Sequence, residues 1–292
     1  NISLTRKDKS IPVSNKNPYM LGFPCTVATK FIKILIESGY TIVIEEQVSP
    51  APKPKRAVTG IYSPSTFLNE ISKPDANYML TIYLEEFEIY KTNKKGWGVG
   101  LSLVEPSIGY VKLHECYSNS NDSKISLDEI IKFINLFTPS EILIITENVS
   151  NPNDTISYLE LKTRSYLHKT LQELKSLKGY SNIKQLGYQT DLFKKIYKTS
   201  SDPLYILGLD KLTYGRDAFA ISLLYLSDHN SNLLNNLSKP EIYIKEDSMH
   251  LGNNPISQLD IFVKEDTSYY SPEISYKCLF DTDLNSSAIF QI

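Results

Sequence analysis

With 292 residues, 41% of them hydrophobic and 22% charged, the chain is long enough for two or three domains with real cores. A net charge of −2 is a poor footprint for a simple electrostatic binder of nucleic acid, and the longest apolar runs, such as Ile142–Ile145, are far too short to cross a bilayer. Cys25, Cys116 and Cys278 lie far apart, with no CxxC pair and no histidine at ligand spacing. They therefore support neither a disulfide framework nor a zinc site, and fit a reduced, intracellular compartment.

The chain opens on Asn1 inside what reads as a structured segment and shows no charged-then-apolar leader, so a fragment without a secretory signal is expected. Residues 1–60 carry nine Lys/Arg against four Asp/Glu, and residues 61–160 carry seven against fourteen. A basic front before an acidic middle is what a chain would show if only its front touched a polyanion; ordinary charge scatter gives the same pattern. Within the front block, Val27, Phe31, Ile34 and Leu35 recur at helical spacing, and Gly39 supplies the stop. A buried strand over Thr41–Glu45 follows. The Pro-rich, basic stretch Ser49–Arg56 then reads as an extended loop, because its prolines forbid regular pairing. A second strand over Ala57–Tyr62 closes at the turn Ser63–Thr66.

The middle block alternates apolar and polar residues over Asn77–Tyr90, then predicts a hairpin from Gly98–Glu105 and Tyr110–Cys116. Leu127–Leu136 reads as an amphipathic helix with Ser126 as its cap and Glu129 three residues on. The buried strand Glu141–Thr146 comes next, then helices over about 158–177 and 189–198. The order β-β-β-α-β-α resembles a ribonuclease-H-like unit. From about 202 the chain reads as mostly helical, with Leu207, Leu212, Phe219, Leu223 and Leu226 along one face of Leu204–Asp228. Short apolar pieces follow at Ile256–Phe262 and Lys277–Asp281, and the ending in apolar sequence again predicts truncation.

No phosphate-cradling G-x-x-x-x-G-K-[ST] loop is present. Gly96, Gly98 and Gly100 lead into a strand rather than a helix, which removes a nucleotide fingerprint and leaves a turn. Glu85, Glu86 and Glu88 sit in one run, whereas a two-metal site draws carboxylates from several strands, so they read as a solvated edge. Nor do His114, His168, His229 and His250 stand in any Ser/His/Asp pattern. The residues supply no catalytic set and no metal site.

Four segments in register go beyond pattern: Asn1–Arg6 (NISLTR), Met20–Pro24 (MLGFP), Lys33–Gln47 (KILIESGYTIVIEEQ), and Arg56 with Ile61–Thr66 (IYSPST). Their order and spacing resemble the N-terminal domain of MutS-type DNA mismatch-recognition proteins, where the corresponding motifs read D-I-x-L-T, G-x-P-x-H-A, G-[YE]-x-[VI]-A-[IV]-x-E-Q and R-x-[VI]-x-x-[IV]-x-[TS]-P-G-T. Gly100–Gly109 resembles that family's connector domain, and Asn253–Ile261 with Cys278–Asp281 resembles the start of its core and lever helices. In style the middle block is similar to the branch of large DNA viruses and octocoral mitochondria. Departures are Cys25-Thr26 in place of the variable-His step, Ser65 in place of Gly, and the absence of the Phe-x-Glu wedge, which in the family precedes the first motif.

The resemblance implies a multidomain α/β and α architecture. Residues 1–70 would be a DNA-binding domain truncated at its start, 75–198 a ribonuclease-H-like connector without nuclease activity, and 202–292 the beginning of a helical core and lever domain. It implies mismatched double-stranded DNA as partner, with no membrane. The full-length protein would be a homodimeric ATPase using ATP and Mg²⁺, neither bound by this chain, and intracellular: viral, in host cytoplasm or virion, or mitochondrial. Thr5, Arg6, Lys53, Lys55 and Arg56 would then approach phosphates, since Arg and Lys on stiffened, extended backbone follow a phosphate track at low ordering cost. Solvated loop residues, with Arg56 paired to Glu45 or Glu46, are the other reading. An active ribonuclease-H-like nuclease with an accessory domain and an interaction scaffold without a DNA role remain as alternatives.

Overall fold

The computed structural model describes residues 4–6, 8–15, 17–50, 54–67, 77–89, 94–119, 122–159, 161 and 165–244. Lys53, His250 and the segments expected at 256–262 and 277–281 lie outside them. The chain divides into a unit over 1–243 and a second over 244–292; the architecture that follows is that of the first.

Two small antiparallel pairs come first, β1 (Leu4–Arg6) with β2 (Tyr19–Leu21), and β3 (Ile42–Gln47) with β4 (Arg56–Tyr62). Between them Pro24, in extended conformation, starts a 3-10 turn over Cys25–Val27 that runs into α1 (Ala28–Glu37). The apolar face expected of α1 is only partly used. Phe31 stacks on Phe23 with centroids 4.6 Å apart, but Val27, Ile34 and Leu35 are exposed and Ile36 is the buried residue. Two two-stranded ribbons and one ten-residue helix cannot enclose a core of their own.

The rest forms a six-stranded mixed sheet. Strands β5 (Met79–Ile89), β6 (Lys94–Glu105) and β7 (Tyr110–Tyr117) run antiparallel as a meander, and β8 (Glu141–Glu147) and β9 (Tyr166–Thr170) add in parallel beside β5. A two-residue strand, β10 (Glu241–Ile242), closes the far edge in parallel with β7. Strand residues alternate between the two faces. Leu80, Ile82, Leu84, Ile142 and Ile144 pack under α2 (Ile125–Phe137), while Met79, Tyr83, Val104, Leu143 and Ile145 pack under the helices that follow β9. Apolar side chains on both faces are why β8 reads as a near-continuous hydrophobic run.

Four expectations are corrected here. Ser126 does not cap α2: the helix begins at Ile125 after Lys124, and Ser126 is buried within it. The capping box sits instead at Thr170 and Glu173, opening α4 (Leu171–Ser176). The helix expected over 158–177 is interrupted, because Tyr166–Thr170 pair along β8 from Ile142 to Thr146, leaving α3 (Pro152–Tyr158) and α4 on either side.

The glycines at 96–100 form no turn but lie inside β6. Finally, the helices after α5 (Leu186–Tyr197), namely α6 (Pro203–Leu207) and α7 (Tyr214–His229), do not open a separate domain at 202. They separate at Gly208, whose φ of +73° suits glycine, and α7 lies flat on the sheet. The reason is a strip of small residues. Gly98, Gly100 and Ser102 share one face of β6, and a Cβ on Gly100 would meet the backbone of Tyr214 and Gly215. Ser222 of α7 stands 2.8 Å from Thr81 Oγ1 and 2.9 Å from Ser102 Oγ, three buried hydroxyls satisfying one another.

Candidate nucleic-acid interface

The basic residues singled out in the sequence fall on two different ribbons. Thr5 and Arg6 are in β1, where Thr5 pairs with Met20 and Arg6 with Tyr19. Arg6 is half-buried and its Nη1 donates to Ile11 O at 3.3 Å, so the guanidinium folds onto the loop that follows its own strand. That loop is organised by Asn17, which is buried. Its Nδ2 donates to the carbonyls of Asp8 and Ile11, both at 2.9 Å, and its Oδ1 accepts from Asp8 N at 3.0 Å.

Lys55 and Arg56 stand together at the root of the Pro-rich loop. Gln47 and Arg56 form the last β3–β4 pair. Beyond them Val48 N donates to Lys55 O at 2.9 Å, Lys55 N donates to Ser49 Oγ at 2.7 Å, and Gln47 Nε2 donates to Ser49 O at 2.8 Å. These bonds staple the loop shut at its base, so two consecutive cations are held on ordered backbone with their side chains exposed. Among the described residues no ion pair ties Arg56 to Glu45 or Glu46; those acids oppose Val58 and Ala57 across the ribbon and are exposed. The arrangement offers exposed positive charge on a stiff support, which suits phosphate contact without base readout.

A second cluster lies where the parallel strands β5 and β8 end. The acidic run on β5 is not a bare edge. Glu85 sits beside Glu147 in register, and Asn148 Nδ2 donates to Glu85 Oε1 at 3.3 Å. Glu86 pairs with Lys95 at 3.1 Å and accepts from Ser150 N at 2.6 Å. Burial alone would raise its carboxyl, but the bonds from Ser150 and Lys95 outweigh that and hold it below the usual carboxylate range. Glu147 receives both Lys184 Nζ and the Tyr83 hydroxyl. Deeper still, Asp217 of α7 accepts from Gln189 Nε2 at 2.7 Å, and Gln189 Oε1 in turn accepts from Arg216 Nε at 2.7 Å. Burial pushes the Asp217 carboxyl up to about 6, against the opposing pull of Gln189, Lys184 and Arg216.

Sequence spacing missed this convergence, since Glu147, Lys184 and Asp217 come from a strand, a turn and a helix. Lys184, Arg216 and Lys95 supply the positive charge there. Among the described residues no three His, Cys, Asp or Glu are grouped so as to hold a metal ion. Nor is any described helix long and apolar enough to cross a membrane.

Comparison with known proteins adds to this geometry. A family model described as MutS domain I matches residues 1–70. A putative DNA mismatch repair protein mutS homolog of Acanthamoeba polyphaga mimivirus is 32% identical over 294 residues, covering 94% of this chain and 26% of its own. The DNA mismatch repair protein MutS of Caldanaerobacter subterraneus subsp. tengcongensis is 26% identical, covering 89% and 27%. The mitochondrial DNA mismatch repair protein mutS homolog of Sarcophyton glaucum is 25% identical, covering 88% and 28%. The chain thus spans about a quarter of the length of these relatives. Among solved structures, Thermus thermophilus RuvC is 10% identical, covering 52% of this chain and 98% of its own, with a TM-score of 0.31, too low to speak to the fold.

Proposed function

This chain belongs to the MutS-type DNA mismatch repair proteins, and from that premise we propose that it is the DNA-facing scaffold of a mismatch-recognition ATPase. The observation that carries the reading is the family match over 1–70, the stretch that also holds the exposed, stapled pair Lys55 and Arg56. Residues 1–70 serve as the DNA-binding domain, with Thr5, Arg6, Lys53, Lys55 and Arg56 along the phosphate track. Such contacts hold a protein on any duplex, as inspection for mispairs requires, and leave recognition of the mispair to other groups.

Three antiparallel strands followed by two parallel ones, with helices on both faces, support a ribonuclease-H-like connector. The packing of α7 and β10 on the same sheet supports a connector that reaches beyond the expected 198, to about 243. The carboxylates at the end of β5 and β8 are engaged by Lys184, Tyr83, Lys95 and Ser150, which favours a connector over a working nuclease.

ATP and Mg²⁺ belong to a different region of the protein. The glycine run of this chain lies in β6 beneath Tyr214, where it serves the close packing of α7 on the sheet. Homodimerisation and an intracellular setting, viral or mitochondrial, complete the reading; the relatives from a mimivirus and from the mitochondrion of Sarcophyton support it.

The test is binding of the intact protein to a homoduplex and to the same duplex with one mispair, across salt concentrations. The reading expects measurable duplex affinity that falls steeply with salt, and tighter binding to the mispair. Equal, salt-independent or absent binding to both duplexes overturns it and leaves an interaction scaffold.

A further inference from the structure

The β3–β4 ribbon has little apolar core to orient it, yet the turn that ends it is buried among polar groups. We infer that Glu141 is a positioning residue: through Ser63 and Ser65 it fixes the direction in which the ribbon presents Lys55 and Arg56 to DNA. The inference rests on the DNA-binding reading above.

Glu141 opens β8 and is 5% exposed. Its Oε2 accepts from Ser63 Oγ at 2.7 Å, from Ser65 N at 3.2 Å, and from Ser65 Oγ. Its Oε1 accepts from the Tyr225 hydroxyl of α7 at 2.6 Å. One carboxylate therefore joins the ribbon's closing turn on one side to the sheet's principal helix on the other. Ser63 and Ser65 are fully buried, whereas Arg56–Thr59 of the ribbon are exposed.

A second clamp repeats the pattern. Asn77 Nδ2 donates to Pro64 O at 2.8 Å and to Ser65 O at 3.2 Å, and Ser140 Oγ, next to Glu141, holds Asn77 Oδ1 at 2.6 Å. Bonds to an ionised acceptor are the strong ones, and a buried carboxylate stripped of donors is costly, so the turn has one well-defined seat. Ser65 stands where the resembled motif has Gly, so the hydroxyl it lends to Glu141 is an addition of this chain to the seat.

The test reads orientation and binding separately in the intact protein. Spin labels are placed at two exposed positions, Glu46→Cys on β3 and Lys178→Cys after α4, with the native cysteines replaced, and their separation is measured without DNA. The unmodified seat is expected to give one narrow distance distribution, and Ser63→Ala with Ser65→Ala a broad one. Duplex affinity is expected to weaken roughly tenfold in that double variant, the size of one lost charge-assisted bond. Lys55→Ala with Arg56→Ala should weaken binding while leaving the distribution narrow.

An unchanged distribution in the serine variant overturns the positioning role. Should that variant not fold, Ser65→Ala alone, which deletes only the added hydroxyl, must broaden the distribution or the inference falls. A broadened distribution in a protein that binds no duplex keeps the positioning role and removes the DNA reading instead.

Discussion

Gly100 of β6 lies directly under Tyr214 of α7: a Cβ at residue 100 would stand 2.0 Å from the Tyr214 carbonyl oxygen. Real Cβ atoms do not tolerate such a distance from backbone, so the helix would have to lift from the sheet. Gly100→Ala is expected to destabilise the protein by about 3 kcal/mol or more, at the upper end of overpacking costs. Gly187, in α5, has open space where a methyl would stand, with nothing beyond its chain neighbours and its own helix backbone within 4 Å, and Gly187→Ala is expected to stabilise by about 0.5–1 kcal/mol. Chemical denaturation of the two variants checks both signs.

Asp217 makes stability depend on pH in an unusual direction. Its carboxyl is raised to about 6 in the folded chain from an ordinary 3.8, because burial disfavours the charged form. The folded state therefore holds the proton more tightly than the unfolded one. The stability this contributes is complete below about pH 4 and is lost as pH rises through about 6, to the extent of about 2–3 kcal/mol. Asp217→Asn keeps an acceptor for Gln189 and removes the titration. The difference in unfolding free energy between the native chain and this variant, followed from pH 4 to 8, is expected to change across that window and to be flat above it. A flat difference throughout would show that Asp217 ionises normally.

Ser222 joins α7 to two strands at once. Removing its hydroxyl leaves Thr81 and Ser102 facing one another in a fully buried layer without their shared partner. Ser222→Ala is expected to cost about 1–3 kcal/mol. The triple replacement of Ser222, Thr81 and Ser102 by Ala, Val and Ala should recover part of that loss, because no polar group then remains unsatisfied. Thermal melts of the single and triple variants decide this.

Lys55 and Arg56 are expected to act on affinity uniformly across DNA sequences. Replacing both by Ala should reduce the slope of log affinity against log salt by about 2, one phosphate contact each. Binding titrations at four or five salt concentrations measure it. An unchanged slope would mean that both side chains remain solvated on the bound protein.

The central strands were legible from the alternation along β5, the apolar run of β8, and Pro106 and Gly109, which punctuate the β6–β7 hairpin. Strand β9 was not. Tyr166–Thr170 is a short edge segment with Tyr166 and Leu167 exposed, and only its pairing with β8 makes it extended. The seat of α7 was hidden differently, since an amphipathic helix announces that it packs but not on what. The clue was present in Gly98, Gly100 and Ser102, a strip too small for an ordinary sheet face. Of the candidate interface, the basic residues could be read from a Pro-rich loop, whereas the staple made by Gln47, Ser49 and Val48 depends on β-ribbon register. The convergence of Glu147, Lys184 and Asp217 had no local signature, because a sheet's crossovers create it.

The position of α7 and β10 late in the chain also sets a timetable. Synthesis runs from the N-terminus, so the face formed by Met79, Tyr83, Val104, Leu143 and Ile145 is complete long before Ala218, Phe219 and Ile221 leave the ribosome to cover it. For that interval a nascent chain carries a broad greasy slab and an open β7 edge, both of which invite aggregation. The closing helix and strand of this unit thus act as its own lid against misassociation, and slow translation or premature release just before them would hurt yield more than stability.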